Sequence, residues 1–121
     1  MKASNNIFDG ATICESPCAK LYCTGGSFDN QSKIFYGQAA EHYIDNVNAD
    51  IVFFSSQAVS IDGEITDVSE EETLLRKRML LRSKKKIMLC DSSKIGIKKT
   101  FTLCRKDDVD LIICDKKLPW E

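Results

Sequence analysis

Four short apolar runs punctuate the chain: Leu21-Tyr22-Cys23, Ile51-Val52-Phe53-Phe54, Ile87-Met88-Leu89-Cys90 and Leu111-Ile112-Ile113-Cys114. The last three are continuous rather than alternating, which is the pattern of parallel strands covered on both faces. Phe101-Thr102-Leu103-Cys104 reads as a further strand. Between the first two runs, Tyr36, Ala40, Tyr43, Ile44 and Val47 recur at helical spacing and predict a helix over residues 36–47. His42 falls on the opposite, solvated side of that wheel. A longer helix is predicted over residues 70–82, with Val68, Leu75 and Met79 on its apolar face and Ser69 with Glu72 as a capping box. Strand, helix and strand in this order make a right-handed parallel crossover the expected connection. The class is α/β, a three-layer and mostly parallel sheet with flanking helices.

Ligands of open parallel sheets bind beyond the carboxyl ends of the strands. Here those ends run into Thr24-Gly25-Gly26, Ser55-Ser56-Gln57, Asp91-Ser92-Ser93-Lys94 and Asp115-Lys116-Lys117. Hydroxyls, carboxylates, glycines and lysines form a rim suited to a small polyhydroxylated or phosphorylated ligand. Lys94 brings a compact charge with three donors, apt for a phosphate or a sugar hydroxyl. It is equally a solvated surface lysine on sequence chemistry alone. Glu72 and Arg76, four apart, share a helix face; Glu72 either meets sugar hydroxyls or simply completes the cap. Gly25 and Gly26 permit positive φ and close backbone approach to an anion, and a tight turn would explain them as well. Asp62-Gly63 is turn chemistry, and Lys84-Lys85-Lys86 reads as a solvated helix end whose cations complement the dipole.

Composition narrows the function classes. The chain has 121 residues, enough for one domain or a piece of one, and 43% are hydrophobic. Its 17 basic and 18 acidic residues leave a net charge of −1, unlike a nucleic-acid-binding module. No apolar run is long enough to span a bilayer and no secretory signal core opens the sequence, so a cytoplasmic protein without membrane contact is expected. The six cysteines read mainly as small buried strand residues. Cys14 and Cys18 are four apart, but no second pair of metal-like spacing follows, so neither a metal nor a cofactor is expected. No Ser-His or Cys-His pairing, phosphate-binding glycine loop or dinucleotide motif is present, which argues against an enzyme.

Several of these segments together resemble the sensor domain of DeoR-family transcriptional repressors. They are Thr24-Gly25-Gly26, Phe35-Tyr36-Gly37 followed by Ala40, Ala49-Asp50-Ile51-Val52-Phe53, and Asp62-Gly63-Glu64-Ile65-Thr66. Glu72 with Arg76 and Met79, Asp91-Ser92-Ser93-Lys94-Ile95-Gly96, and Asp110-Leu111-Ile112-Ile113-Cys114-Asp115 complete the set. Order and spacing agree from about residue 20 to residue 119. Such a resemblance implies a ribose-5-phosphate isomerase or CoA-transferase-like fold and a phosphorylated sugar as effector. Isomerase relatives carry a similar Asp-x-Ser-Lys that meets the sugar phosphate, which points to Lys94 with Asp91. Glu72, Arg76, Gly25, Gly26 and Ser55 complete the expected ligand-binding set. The family's winged helix-turn-helix, and the Asp-Ser-Gly-Thr-Thr-like turn that normally opens its sensor, have no counterpart in residues 1–121. The expectation is therefore an N-terminally truncated part of a single effector-sensing domain from a bacterial regulator of carbohydrate metabolism. DNA would be reached only through the missing helix-turn-helix domain, and the intact protein is expected to be a homo-oligomer. A small sugar-phosphate isomerase, or a fragment of one, is the alternative. After the central strand, Ala58-Val59-Ser60-Ile61 stands where the family usually has Gly-Ile, so that loop is expected to differ in shape.

Overall fold

A computed structural model describes residues 20–121 and, as backbone, the short strand β1 (Lys2–Ser4). The chain divides into two compact units, residues 1–47 and 48–121.

In the first unit β1 pairs in parallel with β2 (Leu21–Cys23). A hairpin follows, β3 (Ser27–Asp29) against β4 (Ile34–Tyr36). Asp29 organises its turn, accepting from the Gln31 amide at 3.1 Å and the Ser32 hydroxyl at 2.5 Å. Phe28 and Phe35 face each other across the strands, edge to face at 5.2 Å. Helix α1 (Gln38–Asp45) then buries Ala40 and Ile44. Tyr36, expected on the helix, ends β4 instead, because Gly37 at φ 92° turns the backbone between the two elements. His42 is exposed, as its place on the wheel predicts.

The second unit holds a three-stranded parallel sheet in the order β10 (Leu111–Cys114), β8 (Ser83–Cys90), β5 (Ala49–Phe54). An antiparallel sheet of β6 (Ala58–Val59), β7 (Glu64–Asp67) and β9 (Phe101–Arg105) lies in the same unit. Helix α2 (Glu70–Leu81) starts where predicted. The Ser69 hydroxyl accepts from the Glu72 amide at 3.3 Å, three glutamates fill the first turn and Arg78 lies in the last, which matches the helix dipole at both ends. Val52, Phe54, Val59, Ile65, Leu80, Met88, Cys90 and Leu103 form one core cluster. Gly63, at φ 89° with its amide bonded to the Ser60 carbonyl, confirms the Asp62-Gly63 turn.

Three expectations need correction. Lys84-Lys85-Lys86 belongs to strand β8, not to a helix end. The helix stops at Arg82, and Ser83 must already be extended to pair with Ala49. The lysine stems tolerate this because Lys84 and Lys85 keep their charges in solvent. Second, the second unit by itself does not bury the two faces of the parallel sheet equally. Val52, Phe54, Met88 and Cys90 point into the core, whereas Ile51 (47%), Phe53 (59%), Leu89 (46%), Leu111 (47%) and Ile113 (49%) are exposed on the other side. Third, Val68 precedes α2 and is exposed, leaving Thr73, Leu75 and Leu80 as its buried side chains. Cys90 is buried as a strand residue, but Cys23 is exposed, and Cys14 and Cys18 lie outside the described residues.

Candidate functional site

The order β10-β8-β5 sets three carboxyl ends side by side on one rim of the second unit. Beyond β8 the chain makes a single 3-10 turn, Ser92–Lys94, started by the Asp91 carboxylate, which accepts from the Ser93 amide at 3.0 Å. Beyond β10, the Asp115 carboxylate accepts from the Ser92 amide at 2.7 Å and the Ser92 hydroxyl at 3.0 Å. These bonds hold the Asp115 carboxyl below the ordinary carboxylate value. They also tie the two strand ends together.

Between these ends lies an open depression of about 500 Å³, lined by Leu89, Cys90, Asp91, Lys94, Ile113, Cys114 and Asp115. The backbone amides of Ser92, Ser93, Lys94 and Ile95 are already taken by Asp115, Asp91 and the turn itself. An incoming anion therefore meets the Lys94 ammonium rather than a cradle of free N–H groups. Among the described residues no carboxylate forms an ion pair with that ammonium. Two carboxylates and one lysine make a wall that can accept from hydroxyls and offer one cation. Burial, with the adjacent Cys114 thiol, pushes the Cys90 thiol above its ordinary value.

A second cluster stands at the end of β5. The Ser56 hydroxyl, just past that strand, donates to the Thr66 carbonyl at 2.6 Å and lies 3.2 Å from Asp67 Oδ2. Asp67 is fully buried and accepts from Arg76 Nη1 at 2.5 Å, and Glu72 Oε2 lies 3.5 Å from the same guanidinium nitrogen. A buried carboxylate needs such a counter-charge. Arg76 is thus committed to Asp67, with Glu72 on its outer side.

The structure brings Asp91 and Lys94 together in one depression and Glu72 and Arg76 together in one ion cluster. Glu72, Arg76 and Ser55 are not among the walls of the depression, although Ser55 is exposed at the end of β5. Gly25 and Gly26 belong to the first unit, with φ of 64° and 105°. The Gly26 position explains its residue type: a Cβ there would lie 2.6 Å from the Tyr36 carbonyl oxygen and 3.2 Å from the Ala40 amide nitrogen. Sequence reasoning missed Asp67 as the centre of the second cluster. No local signal marks it: a strand-end aspartate after Thr66 reads as solvated, and only the tertiary packing of β7 buries Ile65, Thr66 and Asp67 together. It passed over Asp115 as a site residue although that residue ends an apolar strand.

A family model for the DeoR C-terminal sensor domain matches residues 3–116. The chain belongs to this family. Among its relatives is the HTH-type transcriptional regulator GolR of Listeria innocua, 25% identical over 115 residues, which are 95% of this chain and 45% of that protein. The putative aga operon transcriptional repressor of Escherichia coli O157:H7 is 29% identical over 116 residues, 96% of this chain and 43% of the relative. The L-fucose operon activator of Haemophilus influenzae is 24% identical over 116 residues, 96% and 47% respectively. The chain spans about half the length of these relatives. The DeoR sensor assignment fits the α/β class and the parallel sheet. No helix among the described residues is long and apolar enough to cross a membrane.

Proposed function

We propose that this chain is the effector-sensing part of a DeoR-type regulator of carbohydrate metabolism and that it holds a phosphorylated sugar at the rim of its parallel sheet. The observation that carries the reading is Lys94, which lines the depression with Asp91 and Asp115 and forms no ion pair among the described residues. Lys94 meets the phosphate, while the carboxylates accept from sugar hydroxyls. Glu72, held by Arg76, and the turn at Ser55 contribute further ligand contacts. The relatives named for the aga and L-fucose operons support a sugar-derived effector. The ligand is sensed and not transformed, and the assembled regulator is a cytoplasmic homo-oligomer. Operator binding belongs to a helix-turn-helix domain of the intact protein. The sugar phosphate shifts that binding by its differential affinity for two arrangements of the regulator.

Lys94→Ala tests this. Titration calorimetry of the intact regulator with a panel of hexose and pentose phosphates should show at least one ligand whose affinity falls tenfold or more in the variant. A thermal melt should move little, because Lys94 carries no ion pair among the described residues. Unchanged affinity for every ligand bound by the parent protein would refute the role of Lys94. Aldose–ketose interconversion by the protein would favour an isomerase instead.

A further inference from the structure

Cys90 and Cys114 are the last residues of β8 and β10, and the parallel register sets them directly opposite each other. Registered residues on neighbouring strands project to the same face, with strands about 4.8 Å apart. That separation lies inside the span of roughly 4.4–6.8 Å over which a disulfide joins two Cα atoms. The two thiols sense each other, since Cys114 is among the causes that raise the Cys90 thiol. Both residues line the open depression. Cys114 is the terminal residue of β10, so the remaining gap of about 1 Å in Cβ separation is closed at a strand end and not within the ladder. Among the cysteines of the second unit no other competes: Cys104 is registered opposite Ile65 in the antiparallel sheet.

We propose that Cys90 and Cys114 form a dithiol modification site that closes to a reversible disulfide by exchange with a low-molecular-weight disulfide such as oxidised glutathione. Cys114, the more exposed of the two, reacts first. Its thiolate attacks one sulfur of the small disulfide, breaks that S–S bond, and releases one small thiolate while a mixed disulfide forms on Cys114. Cys90 then gives its proton to solvent and attacks the Cys114 sulfur, expelling the second small thiolate. Two protein thiols have lost two electrons and two protons, and the small disulfide has gained both. Burial of Cys90 makes the second step the slower one. Closure alters the wall beside Lys94 whichever anion that lysine holds, so the inference does not depend on the sugar-phosphate reading.

The test uses the reduced chain, incubated with excess oxidised glutathione, then acid-quenched for intact mass and peptide mapping. The expected product contains a Cys90–Cys114 cross-linked peptide, two hydrogens lighter than the pair of thiols, with no glutathione on either residue, and it reverts with dithiothreitol. Cys90→Ala should stop at a stable glutathione adduct on Cys114, and Cys104→Ala should close as the parent does. A parent chain that keeps glutathione on Cys114 with Cys90 free would overturn the proposal. So would a cross-link through Cys14, Cys18 or Cys23, or no reaction when the urea-unfolded chain is oxidised under the same conditions.

Discussion

Replacing Arg76 by methionine removes a guanidinium and keeps a stem of similar length. What it leaves behind is the Asp67 carboxylate, fully buried, with the Val68 amide donating at 3.2 Å, the Ser56 hydroxyl 3.2 Å away but shared with the Thr66 carbonyl, and no cation among the described residues. Breaking a buried pair from one side costs about 3–5 kcal/mol, because a charge is stranded without its partner. The Arg76 side chain is 21% exposed, so solvent reaches one side of the pair and the low end of that range applies. A loss of about 3 kcal/mol is a large part of a total stability of roughly 5–15 kcal/mol. Urea unfolding followed by far-UV circular dichroism reads it as a shift in midpoint at constant slope. Asp67→Asn in the Arg76→Met background should recover about 1–2 kcal/mol, since no charge is then stranded. Two results would refute the reasoning: a loss below about 1 kcal/mol for Arg76→Met, or strict additivity of the two substitutions. Either would leave Arg76 free for a ligand, as the sequence suggested.

Gly26→Ala should destabilise the protein by more than about 1 kcal/mol in a thermal melt, because the added methyl meets backbone at a positive φ. Gly25→Asn, in open space at φ 64°, should cost less; equal losses would contradict the close approach at Gly26. Ser92→Ala should return the Asp115 carboxyl towards its ordinary value of 3.8 in an NMR pH titration. A lowered carboxylate stabilises the fold above its unfolded value and loses that contribution as pH falls through the folded one, so the variant should lose less stability in acid than its parent. The Cys104 thiol is pushed up to about 12 by burial. Its contribution is complete below the unfolded value of 9.0 and is lost as pH rises from there towards 12. Urea midpoints measured below and above pH 9.0 should therefore decline less in Cys104→Ala than in the parent.

The strands Leu21–Cys23, Ala49–Phe54, Phe101–Arg105 and Leu111–Cys114, and the helix Glu70–Leu81, were legible because apolar runs and a serine cap mark them locally. The β3–β4 hairpin was not, since its strands are three residues each and its turn depends on Asp29 bonding rather than on an Asn-Gly or Asp-Gly pair. The first half of β8 was hidden for another reason. Lysines signal solvent, and only pairing with Ala49 and Ile51 makes that stretch a strand. Continuous apolar runs suggested two covered faces, but composition alone does not reveal which neighbour covers a face. The site was half readable: Asp91 and Lys94 share a turn and a short motif. The Asp67–Arg76 pair, nine residues apart and joined through a helix start, depends on tertiary placement.

The bare side of the parallel sheet has a consequence for how the polypeptide behaves in a tube. Five large greasy side chains on one flat plane should bind an environment-sensitive dye in native buffer, without denaturant or acid. The register sets Lys85 beside Ile51 on that same side, where its charge opposes stacking of this side on that of another copy at low ionic strength. Salt shortens the reach of such repulsion to a few ångströms at ~1 M. Colloidal solubility should then fall as salt rises.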